Sequence, residues 1–149
     1  MAELFAKDIM HPRVSLYVKD KGDVVVNKLL VNYPALPVVN DDLEVVGIVS
    51  EYEVLDALKE HRTIHEFSAE SIMSCGYAAH SGVCAEPLTI SMNAPIEDVA
   101  MTFYEKRVSI LPVVDDEKKL IGIIARKNII VAMAEHGFWP QAQFQKRAA

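Results

Sequence analysis

The chain has 149 residues, 51% hydrophobic and 24% charged, with a formal net charge of −6. This is globular composition, and the length suits one domain or two small half-domains sharing a core. The acidic balance excludes the basic surface that nucleic acid or an anionic membrane requires, and no apolar run reaches the roughly 18–20 residues of a membrane span.

Met1 to Asp8 carries acid early and lacks the basic and apolar regions of a signal peptide, so the chain reads as cytoplasmic. Glu3 to Met10 is expected as a short helix stopped at His11-Pro12, because proline disfavours helical geometry in the residue before it. Val14-Ser15-Leu16 alternates as a short strand, and Asp20 to Asp23 supplies turn residues and a helix start. A helix is expected over about Val24 to Asn32. Ala35 to Val39 and Val45 to Val49 then read as a buried hairpin with the polar tip Asn40 to Glu44. Ser50 is placed as the N-cap of a helix over Glu51 to Glu60, and His61 to Ser68 reads as a polar linker.

The second half repeats the first. Leu36-Pro37-Val38-Val39 and Gly47 return as Leu111-Pro112-Val113-Val114 and Gly122, both at an offset of 75 (112 − 37 and 122 − 47). Such a repeat decides architecture before any motif does. Ala69-Glu70-Ser71-Ile72-Met73 echoes Ala6-Lys7-Asp8-Ile9-Met10 at the smaller offset of 63 (69 − 6). About twelve extra residues are therefore expected near 75–86 as a surface loop rich in small residues. Beyond it the copies are expected in register, with Thr89-Ile90-Ser91 matching Val14-Ser15-Leu16. Pro95 to Tyr104 then forms a helix with proline and acids at its start, and the hairpin Ile110 to Val114 and Leu120 to Ile124 follows. The last helix, Arg126 to Glu135, is apolar almost all round, so it needs cover on more than one side. A twofold dimer is the default source of that cover. Gly137 ends it, and the tail that follows holds Trp139.

Cys75 and Cys84 do not amount to a disulfide framework in a chain this long and are expected as free thiols. With His80 they match no standard zinc spacing. No nucleophile elbow, Walker loop, dinucleotide glycine fingerprint or His-Glu-x-x-His is present, so the chain is read as non-enzymatic. What remains is the junction where each hairpin enters its closing helix: Gly47-Ile48-Val49-Ser50-Glu51-Tyr52-Glu53 and Gly122-Ile123-Ile124-Ala125-Arg126-Lys127-Asn128. A glycine admits close approach of a ligand or another backbone, and a helix start offers free N–H groups to phosphate. A plain helix N-cap accounts for one such junction taken alone.

The duplicated strand–helix–strand–strand–helix unit, with these two junctions, resembles a tandem pair of cystathionine-β-synthase (CBS) domains, a Bateman module, over about Phe5 to Glu135. The resemblance implies an α/β fold of two pseudo-symmetric β-α-β-β-α repeats packed through their small sheets. On that reading residues 1–62 form the first repeat, 63–136 the second with the insertion at about 75–86, and 137–149 a tail. It also implies clefts for adenosine-containing ligands such as AMP, ADP, ATP or S-adenosylmethionine, with no cofactor required, and a homodimer acting on an effector protein that the sequence leaves unnamed. The family's Ser/Thr contacts phosphate and its Asp contacts ribose, which carries over to Ser50 and Glu53 in the first copy and to Asn128 in the second, where Ala125 lacks the hydroxyl. Adenine lies just before Leu-Pro, bringing in Tyr33, Ala35 and Pro37, and Ser109, Ile110 and Pro112. The initial strands add Ser15, Thr89 and Ser91. Arg107, Arg126 and Lys127 suit the second cleft to phosphates, whereas the acids of the first suit adenosine or a cationic adenosyl group. The departures at Glu53, Ala125 and Asn128 keep open a second reading, an interaction and dimerisation module with non-binding clefts.

Overall fold

The computed structural model describes residues 3–31, 33–60, 63–76 and 86–136. His61, His80, Cys84, most of the 75–86 insertion, and the tail with Gly137 and Trp139 lie outside the described residues.

In chain order the elements are α1 (Ala6–Ile9), β1 (His11–Pro12), β2 (Leu16–Tyr17), α2 (Gly22–Val31), β3 (Ala35–Val39), β4 (Val45–Ser50) and α3 (Glu51–Lys59). Then come α4 (Ala69–Ile72), β5 (Ile90–Ser91), α5 (Ile96–Lys106), β6 (Ile110–Val114), β7 (Leu120–Ala125) and α6 (Arg126–His136). Two small mixed sheets form, ordered β1-β7-β6-β5 and β2-β3-β4. Within each, the hairpin is antiparallel and the initial strand runs parallel to its first strand. The α/β fold of two pseudo-symmetric repeats is as expected.

The hairpins match strand for strand. β3 and β6 are buried at all five positions, the continuous apolar pattern of a strand covered on both faces. Both hairpins shift register at the same place, between Val38 and Val39 and between Val113 and Val114. Their tips are built alike as well. Asn40 Oδ1 accepts the N–H groups of Asp42 and Glu44, as Asp115 Oδ1 accepts those of Glu117 and Lys119. Leu43 and Lys118 hold the left-handed backbone conformation that closes each turn. The tips also touch, with Leu120 N–H donating to Leu43 O at 2.9 Å. Ile110 and Ile123 of the second repeat join the core of the first, so the sheets share one interior.

The exact register of the initial strands is a correction. Leu16 pairs with Val38 and Ile90 with Val113, so Leu16 is the equivalent of Ile90, an offset of 74 (90 − 16) and not 75. The second copy has one more residue between its initial strand and its hairpin (113 − 90 = 23 against 38 − 16 = 22), and α5 ends at Arg107 in the left-handed conformation at φ 57°. Two-residue strands carry too little alternation to fix a register.

Each leading helix packs on the other repeat. Ala6 and Lys7 N–H donate to Ala94 O and Met92 O, and Ala6 is buried among Ile96, Val99 and Ile124. Conversely, Ala69 and Glu70 N–H donate to Asp20 O and Val18 O, and Ile72 lies in the core with Leu16 and Val25. Past α1, His11-Pro12 pairs with β7 at Ile123 and Gly122. Past α4, Ser74 pairs with Ile48 in two hydrogen bonds of 2.8 and 2.9 Å.

This exchange explains the repeated glycines. A Cβ on Gly47 would lie 2.5 Å from Met73 Sδ, and one on Gly122 would strike Met10 Sδ and sit 2.8 Å from His11 O. Both glycines make room for the exchanged segments, Gly47 for the Met73 side chain and Gly122 for the Met10 side chain and the His11 carbonyl. Two further expectations change. The segment read as a polar linker contains Phe67, which is 2% exposed, because its ring fills the core beside Gly22. Cys75, expected as a free thiol, is disulfide-bonded; a low cysteine count argues against a framework but says nothing about one local bridge.

Candidate functional site

The first junction is a closed capping box. Ser50 has extended backbone and starts α3, and its Oγ accepts the Tyr52 N–H at 3.2 Å. Glu53 turns back so that its Oε1 accepts both the Ser50 N–H at 2.7 Å and the Ser50 hydroxyl at 2.8 Å. The serine hydroxyl thus has its one proton engaged by the residue three positions on, a reciprocal arrangement that satisfies the helix start from within. Both residues are half-buried. Tyr33 is half-buried beside the chain entering β3, while Ala35 and Pro37 are buried within it. Ser15 precedes β2, and its carbonyl accepts Lys28 Nζ at 3.0 Å.

The second junction is built on an amide. Asn128 Oδ1 accepts the Ala125 N–H at 2.6 Å, the bond Glu53 makes to Ser50. Its Nδ2 lies 2.7 Å from His11 Nε2. Because Oδ1 is fixed on Ala125 N–H, the NH2 group must donate, so His11 Nε2 is the acceptor and the neutral ring carries its proton on Nδ1. The His11 ring also faces Tyr33, centroids 6.4 Å apart and tilted by 46°. One histidine on the exchanged leading strand therefore adjoins a junction residue of the second repeat and an adenine-side candidate of the first. Sequence reasoning missed it; its only signal was its place directly after the echoed Ile9-Met10.

The remaining candidates fall into separate places. Thr89 lines a cavity of about 520 Å³ with Glu44, Glu86, Lys106, Val114 and Lys118, between the first hairpin and the start of the second repeat. Arg107 and Arg126 come together elsewhere, in a groove of about 260 Å³ between α5 and α6. There Arg107 stacks over the Tyr104 ring at 4.9 Å. Lys127 is exposed on the first turn of α6. Ser91 is exposed, and its hydroxyl accepts the Asn93 N–H in the turn after β5. Ser109 is half-buried before β6, with Ile110 and Pro112 buried inside it.

Among the described residues no cluster of three or more His, Cys, Asp or Glu is placed to hold a metal, and no helix is long and apolar enough to cross a membrane. The arrangement offers carboxylate and amide acceptors one turn inside two helix starts, with backbone N–H groups beside them. Such groups bind and orient polyols and phosphates.

The chain is similar to known proteins. The chain is 28% identical to the chloroplastic CBS domain-containing protein CBSX2 of Arabidopsis thaliana, over 84% of this chain and 61% of that one. It spans between 20% and 61% of the length of four curated relatives it matches. It superposes on the crystal structure of CBSX2 in complex with AMP with a TM-score of 0.72 at 26% identity, over 90% of this chain and 98% of that one. The CBS domain pair of protein MJ0100, in complex with 5'-methylthioadenosine and S-adenosyl-L-methionine, aligns with a TM-score of 0.71 at 23% identity, over 91% and 99%. The CBS domain profile matches twice, at residues 6–60 and 81–135, each match containing one of the two junctions described above and running through its closing helix. With two matches that between them cover most of the chain, and the exchanged, duplicated sheets to go with them, the protein belongs to the CBS domain family as a tandem pair.

Proposed function

We propose that the chain is a regulatory module that binds adenosine-containing ligands in the clefts between its repeats, residues 1–62 and 63–136, and signals through rearrangement of a homodimer. The observation that carries this reading is the pair of equivalent junctions, each with an acceptor side chain, Glu53 or Asn128, aimed back at a helix start. The AMP complex of the similar CBSX2 supports the ligand class. In the first cleft Glu53 takes ribose hydroxyls, and Glu51 beside it disfavours polyphosphate, so adenosine or a cationic adenosyl group fits there. In the second cleft Asn128 takes ribose and Lys127, on the first turn of α6, takes a phosphate, whereas Arg126 lies with Arg107 in the α5–α6 groove. A ligand moves the repeats only through its different affinity for two arrangements.

Isothermal titration with AMP, ADP, ATP and S-adenosylmethionine tests this. Binding of one of them, weakened by Asn128→Ala or Glu53→Ala, supports the reading and assigns the cleft. Equal affinity of both clefts for ATP refutes the division between them, and no heat at millimolar ligand refutes sensing.

A second reading is favoured by a specific observation. The Ser50 hydroxyl and Glu53 satisfy one another, and Asn128 is held at both ends. In an interaction module with non-binding clefts those contacts are purely structural. A flat titration panel with an intact dimer selects it.

A further inference from the structure

The cavity of about 520 Å³ between the first hairpin and the start of the second repeat is lined by neither junction, and of the candidates named from the sequence only Thr89 reaches it. Charges of both signs surround it, Glu44 and Glu86 with Lys106 and Lys118. Val45, Leu88 and Val114 give it an apolar wall.

The duplication separates what the fold needs here from what it does not. Lys106 is the last residue of α5, and Lys118 sits at the tip of the second hairpin. At the offset of 75 (106 − 31 and 118 − 43) the first repeat has Val31, the last residue of α2, and Leu43. An aliphatic side chain therefore serves the fold at both places, and the two ammonium groups are particular to the second repeat. Lys118 is held at φ 67°, where glycine would be the least costly residue. Its backbone N–H closes the turn on Asp115 O, while its ammonium has no hydrogen-bond or ion-pair partner among the described residues. A long charged side chain kept on a strained backbone beside a cavity points to a partner from outside the chain.

Glu44 supplies the opposite charge in a fixed position. Its Oε1 accepts Asn40 Nδ2 at 3.0 Å, and its backbone bridges to Lys119. The contact between the tips, where Leu120 N–H donates to Leu43 O, sets Glu44 and Lys118 on the same opening.

We infer that this cavity binds a free α-amino acid, at a site apart from the junctions and independent of the nucleotide reading. Lys118 takes the carboxylate, Glu44 takes the ammonium, and the side chain lies on Val45, Leu88 and Val114. The acids of the wall disfavour a polyphosphate and its cations disfavour a polyamine, whereas a zwitterion finds a partner for each of its charges. The volume admits a side chain the size of leucine or phenylalanine.

Titration of the ligand-free full chain with L-leucine and with L-phenylalanine, followed by calorimetry and by backbone amide chemical shifts, tests this. At least one of them binds saturably and moves the amides of Thr89 and Val114. Its carboxamide and its deaminated acid, each lacking one of the two charges, bind about tenfold more weakly or worse, as expected for losing a charge-assisted hydrogen bond. Lys118→Gly and Glu44→Gln each weaken the amino acid by about the same factor. Because glycine suits the left-handed turn, Lys118→Gly keeps its melting temperature, which separates lost binding from lost fold. No saturable binding of either amino acid at about 10 mM overturns the site. So does equal affinity for the neutralised analogues, or undiminished binding by both variants. Shifts confined to Ser50 and Asn128 place the amino acid at a junction and overturn it as well.

Discussion

His11 and Asn128, 117 residues apart in the chain, meet at 2.7 Å, with the amide donating and the imidazole accepting. This bond fixes a testable state of the ring. Nitrogen chemical shifts should report the Nδ1–H tautomer for neutral His11. Asn128→Asp keeps the acceptor for Ala125 N–H but removes the donor to His11, so the ring should change to the Nε2–H tautomer or the imidazolium. An unchanged tautomer in that variant would show that the bond does not set the ring's state.

Gly47 and Gly122 are the tightest points of the exchange between repeats. Gly47→Ala forces Cβ against Met73 and Gly122→Ala against Met10 and the His11 carbonyl. Each should lower unfolding free energy by about 1–3 kcal/mol, the usual range for overpacking. Gly122→Ala should sit at the upper end, because a backbone carbonyl yields less than a thioether. Urea denaturation monitored by circular dichroism measures both.

Phe67→Ala should cost about 3–5 kcal/mol, the range for a buried aromatic truncated in a core that collapses only in part. A surface residue of a connecting segment would change stability by less than about 0.5 kcal/mol. The two readings of residues 63–68 therefore separate in one melting experiment.

Ser50→Ala removes the oxygen that accepts the Tyr52 N–H and the hydroxyl held by Glu53, and should cost about 1 kcal/mol as the loss of a helix cap. The same change frees Glu53 Oε1 of one bond. If Glu53 receives ribose, Glu53→Ala weakens AMP or S-adenosylmethionine in titration more than Ser50→Ala does. The reverse order would place phosphate at Ser50.

Lys118 adopts the left-handed conformation at φ 67° in a turn where its N–H donates to Asp115 O. Lys118→Gly removes the steric cost of a side chain there and should raise stability by up to about 1 kcal/mol, the greater freedom of glycine in the unfolded chain offsetting part of the gain. A lowered melting temperature would count against strain at the tip.

The hairpins and their closing helices were legible in sequence because Leu-Pro-Val-Val and Gly-Ile recur with no gap, and because buried β-branched runs have few other places to go. Ser50 was legible as an N-cap because a cap is a local device, but its reciprocal bond with Glu53 was not read from the sequence. The one-residue slip at Leu16 and Ile90 was not, since parallel register is set by the core and not by two residues of alternation. Nor was the partner of Asn128. The contact with His11 depends on which sheet the leading strand joins, and Met10 and His11 read the same in either arrangement. Phe67 was hidden by its polar neighbours, because a single ring among Thr63, His65, Glu66 and Ser68 carries no periodicity.

The crossing of α1 and α4 has a mechanical side. A pull applied at the amino-terminal end is borne first by the segment before α5, through the bonds of Ala6 and Lys7 to Ala94 and Met92, and then by β7 through the two-residue pairing at His11 and Pro12. Tension on the segment joining the repeats loads Ser74, Ile48 and the first sheet in the same way. Neither half can be peeled off by itself: each is buckled shut by a strap sewn to the other. A change in the angle between the repeats must therefore draw on both straps at once.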